Sequence, residues 1–135
     1  MSTREKINAF LDGQTFAVAG ASEDRSKFGN KVYRLYKRLG KTVYPVNPNA
    51  ATVEGDRAYL DLQSLPAKVH GLSIVTPPAV TEKIIDQAID AGIEHIWIQP
   101  GAEHGHAIRR AESKGLSVIA DGACILAEHQ SVDID

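Results

Sequence analysis

Along most of the chain, two patterns of hydrophobic and polar residues alternate. One is a short run of apolar residues, and the other is a longer stretch with an apolar residue every three or four positions. The short runs are typical of strands that are covered on both faces of a parallel sheet. The second pattern is typical of helices that bury one face against such a sheet. The apolar runs predict strands over residues 15–21, 42–47, 72–76, 95–99 and 116–120.

Stretches with helical spacing lie before or between these strands, and a glycine follows each of them. Glycine ends helices readily because it adopts the left-handed conformation without strain. Residues 58–65 predict only a short helix or turn before Pro66. Pro45 lies within the second apolar run and indicates an early end of that strand, because proline donates no hydrogen bond to a sheet. The predicted helices cover residues 4–12, 27–39, 80–91 and 107–114.

Strands and helices in alternation favour a parallel sheet with right-handed crossovers. We therefore expect an α/β protein with a three-layer, Rossmann-like, doubly wound sheet of about five mainly parallel strands. The chain has 135 residues, of which 43% are hydrophobic, and this is enough for one ordinary domain but too little for two. The expectation is a single domain over residues 1–135.

Charge and composition exclude several classes of partner. The formal net charge is -2, which gives no bulk attraction to nucleic acid or to an anionic membrane. No stretch reaches the roughly 18 apolar residues of a membrane helix, and the N-terminus lacks the apolar segment of a targeting signal, so we expect a cytoplasmic protein. The single cysteine, Cys124, excludes an intrachain disulfide and is expected to be a small buried residue.

The segment that follows the first predicted strand is typical of a phosphate-binding turn. Gly20 and several small or polar residues separate an apolar strand from a helix, so that backbone N–H groups and the positive end of the helix can face an anion. The next glycine is Gly29, and the spacing therefore differs from the GxGxxG of a standard dinucleotide fold. Two interpretations stay open for the polar residues, which either contact phosphate or, with Ser26 as the helix cap, face solvent. These residues are Ser22, Arg25, Ser26 and Lys27.

The end of the second predicted strand argues against NAD. NAD-binding domains usually place Asp or Glu there, about 20 residues after the glycine loop, to hold the ribose hydroxyls. Residues 47–49 are Asn-Pro-Asn instead. The other predicted strand ends are rich in Gly, Pro, Asn and Ser, and Asp121 is their main ionisable residue. This composition favours a binding rim over an acid–base site.

The histidines give no convincing catalytic group or metal site. His104 and His106 flank Gly105 near a predicted strand end, where they are candidates for metal ligands or bases. They lack a third ligand at helical spacing, so a role in a polar loop or at a helix start is favoured. We predict no catalytic residue and no metal ligand.

Several motifs in order resemble those of the CoA-binding domain family. The chain is similar to the small stand-alone bacterial and archaeal members and to the N-terminal domain of the succinyl-CoA synthetase α subunit, over roughly residues 10–128. Each motif is weak alone, and their common order makes the resemblance specific. The motifs are VAGAS at 18–22, KFGN at 27–30, VYPVNP at 43–48, IVTPP at 74–78, AIDAGI at 88–93 and IWIQPG at 96–101.

The resemblance implies a site for CoA or acyl-CoA along the carboxyl edge of the sheet. The first loop would hold the phosphates, with implied contacts at Gly20, Ala21, Ser22, Lys27, Phe28, Gly29 and Asn30. The second strand end would line the ADP moiety through Val46, Asn47 and Pro48. Contacts to the adenine or pantetheine side would come from Val75, Thr76, Pro77, Pro78, Ile98, Gln99, Pro100 and Gly101. The synthetase subunit has a lysine shortly after the position of Pro48, where residues 49–51 are Asn-Ala-Ala, and a glutamate at the position of Pro100.

The function that the resemblance implies is binding of CoA or acyl-CoA without ligase chemistry of its own, because the synthetase carries its phosphohistidine in a further domain. Two alternatives remain. One is an enzyme, either a nucleotide-dependent oxidoreductase or a thiol-transfer protein that uses Cys124. The other is a ligand-sensing regulatory module that acts as a homodimer or on an unknown protein partner.

Overall fold

Five parallel strands form the central sheet of the computed structural model, which describes residues 1–134. In chain order they are β1 (Thr15–Ala19), β2 (Thr42–Val46), β5 (Gly71–Ile74), β6 (His95–Ile98) and β7 (Ser117–Ile119). A two-stranded antiparallel hairpin, β3 (Thr52–Val53) and β4 (Asp56–Arg57), follows β2. The predicted strands and the Rossmann-like α/β class are confirmed, and the hairpin is an element that the hydrophobic pattern did not predict.

Helices cover both faces of the sheet, as the predicted periodicity requires. They are α1 (Thr3–Leu11), α2 (Phe28–Arg38), α3 (Pro78–Ala91) and α4 (Gly105–Ser113). One face packs against α1 and α2 through an aromatic core that includes Phe10, Phe16, Tyr36 and Trp97. The other face packs against α3 and α4 through an aliphatic core rich in Ile and Ala. Strand β1 serves both cores because its successive side chains point to opposite faces.

The strand order is β2-β1-β5-β6-β7. The chain leaves β1 in one direction to form β2 and then crosses to the other side of β1 to form β5, so the order reverses between β1 and β5. Loops that leave the carboxyl ends of two such strands diverge and open a crevice. The sheet order therefore places a cleft above β1.

One local prediction needs correction. Pro45 lies inside β2, paired in register with Val18, and does not end the strand early. The strand tolerates it because β2 is at the edge of the five-stranded sheet. The short helix or turn predicted within residues 58–65 is confirmed: a 3-10 turn covers Leu62–Ser64, and the Asp61 side chain caps it.

None of the helices within residues 1–134 is long and apolar enough to cross a membrane.

Candidate functional site

A cleft of about 540 Å³ opens at the carboxyl edge of the sheet, where the strand order reverses. Its volume lies within the range of small-molecule sites, roughly 300–1,000 Å³. Its walls come from the ends of β1, β2 and β5, from residues 60–61, and from one side of α3. The lining residues are Gly20, Val46, Asn47, Pro48, Asn49, Leu60, Asp61, Thr76, Pro77, Val80, Lys83, Ile84 and Gln87.

Gly20 forms the floor of the cleft and requires the absence of a side chain. Its φ is +90°, a conformation that L residues rarely adopt, and a Cβ atom would lie 2.5 Å from the Val75 carbonyl oxygen. The start of α2 approaches from the other side, since a Cβ atom on Gly29 would lie 1.9 Å from the Gly20 carbonyl oxygen. The two glycines therefore bring the helix start and the end of β1 into backbone contact.

The first turn of α2 has free backbone donors. Its N-terminal cap position is Lys27, whose side chain makes no capping hydrogen bond. Ser26 is not the cap, because its backbone N–H and its hydroxyl both donate to the Asp24 carboxylate. The two hydrogen bonds lower the pKa of Asp24 below its usual value, and the bond from the Ser26 hydroxyl has the larger effect. The cap residue of the helix end beside Gly20 therefore provides no side-chain acceptor for the first backbone N–H groups.

The loop between β1 and α2 is held by hydrogen bonds from beneath. The Asn47 amide donates to the Ala21 carbonyl oxygen at 2.8 Å, and the buried Asn30 amide donates to the Ser22 carbonyl oxygen at 2.8 Å. The Thr52 hydroxyl in β3 donates to the Glu23 carboxylate at 2.7 Å. Asn47 occupies the place where an NAD-binding domain carries a carboxylate, and an ionised carboxylate has no proton to donate to Ala21.

The opposite wall of the cleft is largely apolar. Leu60 and Val80 are among the few large hydrophobic residues on the surface, with 63% and 41% of their area exposed, and both line this cleft. Exposed apolar side chains grouped in one concavity indicate a ligand or partner surface rather than chance.

Helix α3 contributes a face that the motif-based prediction missed. Val80, Lys83, Ile84 and Gln87 follow the spacing i, i+3, i+4 and i+7 and all border the cleft. The spacing of these residues can be seen in the sequence. It does not predict which side of α3 packs against the sheet and which side borders the cleft. Leu60 and Asp61 gave no signal of a ligand site, because residues 58–65 predicted only a short helix or turn.

Two polar side chains of the cleft are already engaged by local backbone. Asp61 accepts hydrogen bonds from the Ser64 backbone N–H at 2.9 Å and from the Ser64 hydroxyl at 2.6 Å. The Gln87 amide oxygen accepts from the Leu62 backbone N–H at 3.1 Å. Both residues fix the 3-10 turn against α3 and thereby hold Leu60 at the rim.

The structure brings only part of the predicted site residues into this cleft. Those in its lining are Gly20, Val46, Asn47, Pro48, Thr76 and Pro77. Around the start of α2, Ala21, Gly29 and Asn30 are buried, Ser22 is half-buried, and Lys27 and Phe28 are exposed. At the ends of β5 and β6, Val75 is half-buried, Ile98 is buried, and Pro78, Pro100 and Gly101 are exposed beside the rim.

Gln99 has a local structural role. It is only 4% exposed, and its amide oxygen accepts from the Ile125 backbone N–H at 2.9 Å. Its amide nitrogen donates to the Cys124 sulfur at 3.3 Å. Cys124 itself is half-buried, and the prediction of a buried cysteine is therefore wrong. The Gln99 amide therefore holds residues 124–125, which follow β7, against the end of β6.

His104 and His106 both lie at the start of α4. His104 is the N-terminal cap of α4, where its Nδ1 atom accepts from the Ala107 backbone N–H at 3.2 Å. The favoured interpretation of a helix start is confirmed. Within residues 1–134, no group of three or more His, Cys, Asp or Glu side chains is arranged to hold a metal ion.

A parallel doubly wound sheet with a cleft at its strand reversal defines a Rossmann-like α/β protein. The model of the CoA binding domain family matches residues 14–130, and the chain belongs to this family. The predicted family is thereby confirmed.

The relatives agree with this assignment. The acetate–CoA ligase [ADP-forming] II subunit alpha of Pyrococcus furiosus is 30% identical over 93 residues, which are 68% of this chain and 20% of that subunit. The chain thus spans about a fifth of the length of this curated relative. A hypothetical protein from Pyrococcus horikoshii OT3 superposes with a TM-score of 0.89 at 26% identity, covering 98% of this chain and 92% of that one. A conserved hypothetical protein from Pyrococcus furiosus has a TM-score of 0.80 at 35% identity, covering 85% and 98%.

Proposed function

We propose that the chain binds CoA or acyl-CoA through the nucleotide end of the ligand, which occupies the cleft above β1. The observation that carries the proposal is the contact between Gly20 and Gly29, which sets an uncapped helix start at the mouth of an apolar-walled cleft. Membership of the CoA binding domain family supports this choice among nucleotides.

The start of α2 would hold the pyrophosphate. Its unpaired backbone N–H groups and its positive dipole end favour an anion, and Gly20 lets the ligand approach the backbone. The adenosine would then lie between Leu60 and Val80, whose exposed apolar surfaces it would cover. In this arrangement the pantetheine arm leaves the cleft along the rim.

Binding without ligase chemistry is the form of this function that we propose. CoA, when bound, supplies the thiol that carries an acyl group, while the residues of this chain hold and orient the nucleotide. Asp61 in the cleft is engaged as a cap of the 3-10 turn, and His104 is engaged as a cap of α4. These local structural roles support a binding function without ligase chemistry.

Calorimetric titration with CoA, acetyl-CoA, ADP and NAD tests the proposal. We expect saturable binding of CoA and acetyl-CoA and weaker binding of NAD, because Asn47 is committed to Ala21. Absence of heat with CoA at about 1 mM would contradict the proposal.

A matched pair of variants tests the location of the site. Val80 lines the cleft and Ala79 does not, although both are exposed in the first turn of α3. Val80→Glu brings a negative charge to the phosphate-bearing ligand and should weaken CoA binding about tenfold or more, whereas Ala79→Glu should leave it within about twofold. Equal effects of the two variants would place the ligand elsewhere.

A further inference from the structure

Lys83 is a cation in the wall of the cleft without a partner among residues 1–134. It lies on α3, its side chain is exposed, and within that part of the chain it makes no hydrogen bond or ion pair. Isolated surface lysines are usually solvated. Lys83 differs from such lysines because it lines a cleft of ligand size together with exposed apolar residues.

The acidic neighbours of Lys83 on α3 are directed to another helix. Glu82 lies 3.6 Å from His104, and Asp86 is paired with Arg110, so that both carboxylates face α4. Asp61, the carboxylate in the cleft lining, is engaged by Ser64. The positive charge of Lys83 is therefore not neutralised by a direct contact and is available to an anion in the cleft.

The carboxyl edge of the sheet thus has one positive group on each face of the sheet. One is the uncapped start of α2, beside Gly20, and the other is Lys83, on the helix that covers the opposite face. With the pyrophosphate placed at the helix start, as proposed above, that pole is occupied. Lys83, in the wall of the same cleft, is then available to a further phosphate on the nucleoside.

We propose that Lys83 binds the phosphate on the ribose of CoA and makes the site selective for CoA over dephospho-CoA. This inference rests on the proposed function, because it assumes that the nucleotide end lies in the cleft. CoA carries a 3′-phosphate on its ribose, whereas dephospho-CoA and ADP do not. A charge-assisted contact of this kind strengthens binding by about tenfold.

The test compares CoA with dephospho-CoA by calorimetry on four proteins: the wild type, Lys83→Met, Lys83→Arg and Lys114→Met. Methionine keeps the apolar stem of lysine and removes the charge. Arginine keeps the charge, and Lys114 is an exposed lysine near the end of α4 that does not line the cleft. The melting temperature of each variant verifies that it is folded.

The expected result is that the wild type prefers CoA by about tenfold and that Lys83→Met loses this preference, with dephospho-CoA binding changed less than about twofold. Lys83→Arg and Lys114→Met should keep the preference. Equal affinity of the wild type for the two ligands, or a preference that survives in Lys83→Met, would overturn the inference and leave the proposed function intact. A wild type that binds neither ligand would overturn both.

Discussion

The α-carbon of Gly29 lies directly against the carbonyl oxygen of Gly20, and a Cβ atom on Gly29 would stand 1.9 Å from that oxygen. Gly29 does not have a positive φ, so its requirement for glycine is one of space and not of backbone conformation. This contact sets the distance between the start of α2 and the end of β1. It is the feature on which the proposed phosphate site depends.

Replacement of Gly29 by alanine should therefore move the helix start away from Gly20. We expect Gly29→Ala to lower the free energy of unfolding by about 3 kcal/mol, because neither backbone segment can yield easily, and to weaken CoA binding. Denaturant unfolding followed by calorimetry measures the two effects.

Gly105→Ala is the control for this experiment. Gly105 begins α4, and a Cβ atom there would meet only the end of the flexible Arg109 side chain, at 3.3 Å. Alanine favours helices over glycine, so this variant should match or slightly exceed the wild type in stability. Equal stability of both variants would show that the Gly29 contact is not a constraint.

Asn47 should be intolerant of aspartate. Asn47→Asp replaces the amide that donates to the Ala21 carbonyl oxygen, and one carboxylate oxygen would then face another oxygen. We expect a loss of about 1–3 kcal/mol in the free energy of unfolding, together with weaker CoA binding and no gain of NAD binding. The same substitution at the exposed Asn8 serves as the control. A stable Asn47→Asp variant that binds NAD would contradict the structural role of this amide.

The central part of the fold was predictable because burial on both faces of a sheet leaves a strong sequence signal. The runs around Phe16 and Ile96 are apolar for that reason, and the glycine after each helix marks its end. The hairpin β3–β4 was not predictable, because strands of two residues have no periodicity. It turns through Glu54, with a φ of +50°, and Gly55, with a φ of +81°.

The candidate site was predictable only where backbone forms it. Gly20 was found because the loop after the first strand has a characteristic composition, and Asn47 was implied by the resemblance of the VYPVNP motif at residues 43–48. Lys83 and Leu60 were missed because their roles depend on how α3 and the 3-10 turn are rotated about the cleft, and that rotation is set by tertiary packing. Gln99 was placed in the ligand site by its motif, whereas its side chain binds Cys124 and the Ile125 backbone.

Removal of the Gln99 amide should loosen the segment that follows β7. Gln99→Ala leaves the buried Ile125 N–H without its acceptor, which costs about 1–3 kcal/mol. We expect lower stability and faster alkylation of Cys124, measured with a mild thiol reagent. Gln130→Ala, at an exposed position, should change neither quantity. An unchanged alkylation rate in Gln99→Ala would show that this amide does not hold the segment.

Stability should fall in mild acid because of His95. The His95 ring stacks on His70 with centroids 4.4 Å apart, and its Nδ1 atom is buried without a hydrogen-bond partner among residues 1–134. Burial, and then the neighbouring His70, lower the pKa of His95 below its usual value. The unfolded chain therefore takes up the proton first, and this contribution to stability is present above about pH 6.5 and is lost as the pH falls below it.

Urea unfolding at about pH 7.5 and about pH 5.5 measures this dependence. We expect His95→Gln to show a smaller loss of stability between the two pH values than the wild type. His106→Gln, at the exposed start of α4, should retain the wild-type dependence. An identical pH dependence in His95→Gln and the wild type would remove His95 as the cause.

An amide NMR titration of the protein with CoA tests the proposed site most directly, because it reports the location of binding as well as its existence. We expect shifts to concentrate at Gly20, at Asn47 and in the first two turns of α3, which border the cleft. The amides of His70 and His95, which lie by the hollow at the opposite edge of the sheet, should remain unchanged. No shifts at about 1 mM CoA, or shifts confined to that opposite edge, would contradict the assignment of the cleft as the CoA site.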